Sequence, residues 1–189
     1  MTDKDKYFQE SISSGIPTYY FLLRDFGVGK GCKNFVETGT HLGNGVQYAL
    51  DNGFDEVLSC EMMQDRYQHC MNRFKDNDNV SLWLGKSDDC FSEMVNKLTE
   101  KSCFWLDAHA EGGGVPTFEE LDVIKNSSIK DHTIIIDDIP VYFGGQVAEL
   151  EQKLLSINEN YIIEYFPVDL GGERAVSYTH LTLPTTYEV

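Results

Sequence analysis

The sequence predicts one α/β domain built on a doubly wound sheet, mostly parallel, with helices on both faces. Three observations predict it. From Asn34 onward, short β-branched and aromatic runs alternate with segments of helical period, the sequence form of repeated βα units around a parallel sheet. The first of these runs enters a glycine-spaced turn, Glu37-Thr-Gly-Thr-His-Leu-Gly-Asn-Gly45, of the kind that lets backbone approach a ligand closely. A length of 189 residues with 41% hydrophobic content suits a single buried core.

The expected strands are Phe35–Glu37, Val57–Glu61, Val80–Leu84, Cys103–Asp107 and Thr133–Asp137, each short and apolar enough to be buried on both faces. Tyr161–Phe166 reads as a sixth. Between them, Val46/Ala49/Leu50, Tyr67/Cys70/Met71/Phe74 and Phe91/Met94/Val95/Leu98 recur at the spacing of amphipathic helices. Phe118/Leu121/Ile124 and Val147/Leu150/Leu154/Ile157 continue the pattern, and Asn52-Gly53 and Asp78-Asn79 supply stops and turns. Residues 1–33, with Gly15-Ile-Pro17 and Tyr19 to Leu22, form a helical lead-in that packs over the sheet or over a substrate mouth.

Charge and cysteine usage exclude several functions. With 31 acidic against 15 basic residues and a formal net charge of −16, the surface repels phosphate backbones and anionic lipid headgroups, which argues against nucleic acid and membrane partners. Cys32, Cys60, Cys70, Cys90 and Cys103 are odd in number and lack a C-x-x-C pairing, as expected of free thiols in a reducing cytoplasm. Met1–Ser14 is polar, and no later apolar run approaches the ~18 residues of a spanning helix. A cytoplasmic protein is expected.

The turn reads Glu-x-Gly-x-x-x-Gly-x-Gly rather than the Gly-x-Gly-x-x-Gly of dinucleotide enzymes. A carboxylate at its head would repel a pyrophosphate, whereas an aminoacyl ligand carrying sulfonium and ammonium charges suits it. Glu61 closes the second strand, where an acid can accept both hydroxyls of a ribose. Asp107, His109, Asp137 and Asp138 follow the fourth and fifth strands and should face one crevice. Three converging carboxylates call for a cation among them, and an oxygen-rich set favours Mg²⁺ or Mn²⁺.

On these residues the stretch Asn34–Phe166 resembles the class I S-adenosylmethionine-dependent methyltransferases, with their Rossmann-like sheet. It is most similar to the metal-dependent O-methyltransferases of the macrocin and catechol types. The resemblance implies a cofactor site of Glu37, Gly39, Thr40, Gly43, Gly45, Glu61, Ser87, Asp88 and Asp107, with Ser87-Asp88 at the adenine. It also implies a metal held by Asp107, Asp137 and Asp138, and methyl transfer to a hydroxyl of a small molecule or glycan. Asp107 and His109 are the catalytic candidates. Where those enzymes commonly carry a Lys or His three residues past the first Asp, this chain has Ala110. His109 is then the general base, a fourth metal ligand or a loop residue; without a metal, Asp107 and Asp137 would cap strands or orient the methionine moiety. His41 is a weaker base candidate, and His69 and His132 read as structural or exposed. The loop Ala110–Pro116 reads as a flap over substrate. Competing readings are a non-catalytic cofactor-binding module and a nicotinamide-dependent oxidoreductase, the latter disfavoured by the glycine spacing.

Residues 176–189 stand apart from the domain proper, 34–175. Val176-Ser-Tyr-Thr-His-Leu-Thr-Leu-Pro-Thr185 resembles the translation of a transposase adapter used in shotgun sequencing libraries, and is set aside as a non-native tail beyond which the natural gene continues. The resemblance to methyltransferases implies a seventh strand, antiparallel, beside the fifth. The alternating tail either fills that slot or leaves a sheet edge open to association and homo-oligomers.

Overall fold

The structure, a computed structural model, describes residues 22–23, 27–109, 114–169 and 174–182. The strands are β1 (Asn34–Thr38), β2 (Glu56–Glu61), β3 (Val80–Leu84), β4 (Ser102–Leu106), β5 (Thr133–Ile136), β6 (Ile162–Asp169) and β7 (Arg174–Thr182). The helices are α1 (Asn44–Asp51), α2 (Gln64–Arg73), α3 (Ser87–Asn96), α4 (Thr117–Asn126), α5 (Ile139–Tyr142) and α6 (Val147–Ile157). β1 to β5 form a parallel sheet in the order β3-β2-β1-β4-β5. The chain thus winds outward from β1 in one direction, then reverses through β4, and the switch between β1 and β4 is where such sheets open a crevice.

Side chains on successive strand residues point to opposite faces, which divides the core in two. Phe35, Val57, Cys103, Trp105 and Ile135 pack beneath α1 and α2. Val36, Leu58, Phe104, Leu106 and Ile134 pack against α3, α4 and α6. The same alternation continues past the apolar residues to the polar strand ends. Glu37, Ser59 and Glu61 fall on the α1 side, and Thr38 and Cys60 on the α3 and α4 side.

The predicted α/β architecture is the observed one, with three corrections of detail. β3 is not buried on both faces: it is the sheet's outer strand, and Ser81 and Leu84 are exposed. Met71, expected on the apolar stripe of α2, is 41% exposed, because Cys70 and Phe74 already fill the contact with the sheet. The single turn α5 directly after Asp137-Asp138 had no apolar period to announce it.

β6 and β7 pair antiparallel from Ile162 with Thr182 to Asp169 with Arg174, and β7 also lies against β5. Most of β7 therefore comes from the stretch set aside as a tail; it forms a separate two-stranded sheet with β6 and packs beside the edge strand β5 without joining its ladder. Of the lead-in, Leu22 and Leu23 are helical and buried in the core beneath α1 and α2. Gly15–Phe21 lies outside the described residues. No described helix is long and apolar enough to cross a membrane.

Candidate functional site

The glycine turn is shaped around a buried acid. Glu37 is 5% exposed at the end of β1, and its Oε1 occupies the space that a Cβ on Gly45 would need, 1.7 Å away. Any larger residue at position 45 would collide with the carboxyl. Ser59 donates to Glu37 Oε2 at 2.7 Å, and its oxygen lies 2.6 Å from the Thr40 hydroxyl. Burial, and secondarily the charge of Glu61, push the Glu37 carboxyl up to about 8. Gly39, at φ +88°, lets the turn run close to the end of β4: a Cβ there would sit 2.9 Å from the Asp107 carbonyl oxygen. Gly43 does a different job. It caps α1 at φ +81° and packs against Phe74 and Cys70, away from the cavity lining.

Glu61 is 4% exposed and held by two backbone donors. The His41 N–H reaches its Oε2 at 2.7 Å and the Met63 N–H its Oε1 at 2.8 Å. Each carboxylate oxygen keeps a second lone pair for a ligand hydroxyl. His41 adopts φ +50°, which aims its N–H at Glu61; the residue also lines the cavity, and its side chain is exposed. Ser87 is buried at the start of α3, while Asp88 is exposed in the first helical turn, where the helix dipole favours a carboxylate.

These groups surround a cavity of about 770 Å³, the size of small-molecule sites generally. Glu37, Gly39, Thr40, Gly45, Glu61, Ser87 and Asp88 line it, and Asp107 and His109 line its other end. Gly114, Val115 and Pro116 contribute to the wall; Ala110–Gly113, the body of the expected flap, lies outside the described residues.

Asp107 follows β4, and burial first, then the charges of Asp137, Asp138 and Glu37, push its carboxyl up to about 8. Ligating atoms of Asp107, His109 and Asp138 lie within 4.8 Å of one another. Asp137 acts on Asp107 through its charge, and its Oδ1 accepts the N–H of Asp138 at 2.7 Å, which helps hold Asp138 at φ +52°. His109 is exposed and stacks on Tyr142 of α5, with ring centroids 5.7 Å apart. The donor chemistry of two carboxylates and an imidazole fits a divalent cation, with the nitrogen favouring Mn²⁺ or a later transition ion over Mg²⁺. The acidic cavity equally fits an adenosyl ligand carrying positive charge at its amino acid end.

Of the remaining histidines, His69 is exposed and His132 is buried. The Nδ1 of His132 accepts the Ser102 N–H at 3.1 Å, and burial pushes its pKa down to about 4. The described cysteines are all free thiols. Polar residues near the cavity that went unread in the sequence include Ser59, Arg66, Glu119 and Glu120. Ser59 had a signal, since it sits two residues before Glu61 on one strand and so faces the same way. Arg66, a cavity-lining cation on α2, and Glu120, buried on α4, had none, because both sit among the many charged residues of amphipathic helices.

No family model matches the sequence, and no curated protein matches it. Solved structures do. An O-methyltransferase of Bacillus cereus in complex with S-adenosylhomocysteine is 15% identical, with a TM-score of 0.63, over 95% of this chain and 90% of that one. The O-methyltransferase TomG of Streptomyces achromogenes, involved in tomaymycin synthesis and bound to S-adenosylmethionine, is 12% identical, with a TM-score of 0.63 over 96% and 90%. The S-adenosylhomocysteine-bound methyltransferase PaMTH1 of Podospora anserina is 11% identical, with a TM-score of 0.61 over 97% and 88%. At such identities the likeness is one of architecture, and the architecture is the Rossmann-like fold that these methyltransferases share.

Proposed function

We propose that the chain is an S-adenosylmethionine-dependent methyltransferase acting, with help from a divalent metal, on a hydroxyl of a small molecule or glycan. One observation carries this reading: a single cavity is lined by Glu37, Gly45, Glu61, Ser87 and Asp88 together with Asp107 and His109. Acids at the glycine turn suit the ligand's ammonium group, Glu61 suits its ribose, and Ser87-Asp88 its adenine. Gly43 supports the turn rather than the ligand.

S-adenosylmethionine supplies an electrophilic methyl group, and a divalent cation would lower the pKa of an acceptor hydroxyl. Residues to hold that cation are Asp107, His109 and Asp138, with Asp137 fixing the backbone beneath Asp138. The chain's own work is placement and charge. Glu37, pushed up to about 8, ionises on meeting a cationic amino acid end and so strengthens the contact in a site of low dielectric. If His109 is free of metal it is the base at hand for the hydroxyl proton, because its exposed ring can pass a proton to solvent.

Titration of S-adenosylhomocysteine into the protein, with and without Mg²⁺ or Mn²⁺, tests the reading. Glu61→Ala is expected to weaken binding by about tenfold or more, the loss of two charged hydrogen bonds. Asp107→Ala is expected to abolish any effect of metal. A folded wild type that binds nothing sinks the proposal. Binding without methyl transfer to any hydroxyl acceptor would favour a non-catalytic module.

A further inference from the structure

We propose that Glu120 is a positioning residue for the cavity: one buried carboxyl that, through the hydroxyls of Ser87 and Thr38, ties the cavity's Ser87-Asp88 end to its Asp107 end. The inference rests on the cofactor reading above.

Glu120 lies in the first turn of α4 and is 2% exposed. Strand alternation and helix placement converge on it. Thr38 at the end of β1 faces α4, and Ser87 opens α3, the helix packed beside α4. Both hydroxyls approach the Glu120 carboxyl, yet neither carboxylate oxygen, nor the Ser87 Oγ, is in hydrogen-bond geometry with a partner. A buried carboxyl and a buried hydroxyl left open together are costly, and a leucine would join α4 to α3 without that cost. The arrangement is a network one small movement short of closing.

Its two arms reach the two ends of the cavity. Ser87 lines the cavity directly, beside Asp88. Thr38 Oγ1 already accepts the Asp107 N–H at 3.3 Å, which leaves the Thr38 proton free to go to Glu120. A ligand that settles against Ser87 draws α3 toward α4, closes both hydroxyls onto the carboxylate, and thereby stiffens the backbone of Asp107. In the ionised state Glu120 accepts from both.

The groups that face it set the charge balance. Asp88 on α3 and Glu119 on its own helix oppose its ionisation, while Ser87 and Thr38 favour it; the thiol of Cys60 faces it from β2. α6 offers no relief, since its Lys153 pairs with Asp122 at 2.6 Å. Burial dominates and pushes Glu120 up to about 7, so closing the network at neutral pH is linked to loss of a proton.

The test is calorimetric titration of S-adenosylhomocysteine at closely spaced pH values from about 5.5 to about 9, with and without Mn²⁺, into wild type, Glu120→Gln, Glu120→Leu and Thr38→Val. Wild-type binding is expected to tighten with pH in two steps, one near the Glu120 value and one near that of Glu37. Glu120→Leu is expected to bind about tenfold more weakly and to lose the lower step. Glu120→Gln, able to accept one hydroxyl, should recover most of the affinity at about pH 6 while lacking that step. Thr38→Val should weaken the benefit of metal without altering the fold. If Glu120→Leu does not fold, Glu120→Gln decides. Either variant showing the wild-type affinity and both pH steps overturns the inference and leaves the cofactor reading standing. A folded wild type that fails to bind overturns both.

Discussion

Glu37 and Gly45 are one unit written as two residues. The carboxyl at the end of β1 projects under the first turn of α1, and the missing side chain at position 45 is the room it needs. Gly45→Ala is therefore expected to displace Glu37 and with it the bonds from Ser59 and toward Thr40. A displaced buried carboxyl with lost partners costs about 1–3 kcal/mol, so a lower melting temperature should accompany loss of S-adenosylhomocysteine binding in calorimetry. Unchanged binding by Gly45→Ala would show that Glu37 does not face the ligand. The two acids in the turn region have different hydrogen-bond partners. Both are buried, but Glu61 has two backbone N–H donors, whereas Glu37 has one hydroxyl donor.

At the scale of elements, the outer pair β6 and β7 completes what the five parallel strands begin. β7 lies between β5 and β6, and its residues from Val176 onward belong to the adapter-like stretch. Strand pairing depends on backbone donors and acceptors and on an alternating pattern, so a segment with the right alternation can pair with β6 and lie beside β5 whatever its origin. Truncation after residue 175 should then uncover the edge of β5, lower the thermal midpoint and promote self-association, all visible in melting curves and light scattering. A truncated protein as stable and monodisperse as the whole chain would mean that the tail does not hold that place. α5 shows a different dependence: four residues are too few to persist alone, and the turn is held by the Asp138 carbonyl, which accepts the Tyr142 N–H at 3.1 Å, and by Ile139 and Phe143 in the core.

The molecule as a whole gathers buried carboxyls, held protonated by burial, in and beside its cavity. Glu37 and Asp107 are pushed up to about 8 and Glu120 to about 7. Each therefore holds a proton in the folded state over a range where the unfolded chain has lost it. Their contribution to stability is present below the ordinary carboxylate pKa of ~4 and declines as pH rises toward 8. The ligand-free protein should accordingly melt at lower temperature at pH ~8.5 than at pH ~6. A cation reverses the sign, because it favours the ionised forms. The stabilisation by Mn²⁺ should grow with pH in wild type and vanish in Asp107→Asn, read as the shift in melting temperature. Equal Mn²⁺ shifts in both proteins would remove Asp107 from the metal set.

Periodicity and turn chemistry, which are local, determined a good part of this protein in advance. The strands through β6, the longer helices and the glycine turn with Glu37 and Glu61 were legible because alternation, the helical period and glycine's conformational freedom act between near neighbours in the chain. Tertiary structure alone decided the rest. It brought His109 to Asp107 and Asp138, made β3 an edge, packed Gly43 against Phe74 and Cys70, and buried Glu120 between Thr38 and Ser87. Those outcomes depend on which strand ends and helix starts meet across the sheet and on how far each is shielded from water. Distance and burial between residues dozens of positions apart leave no trace in local pattern.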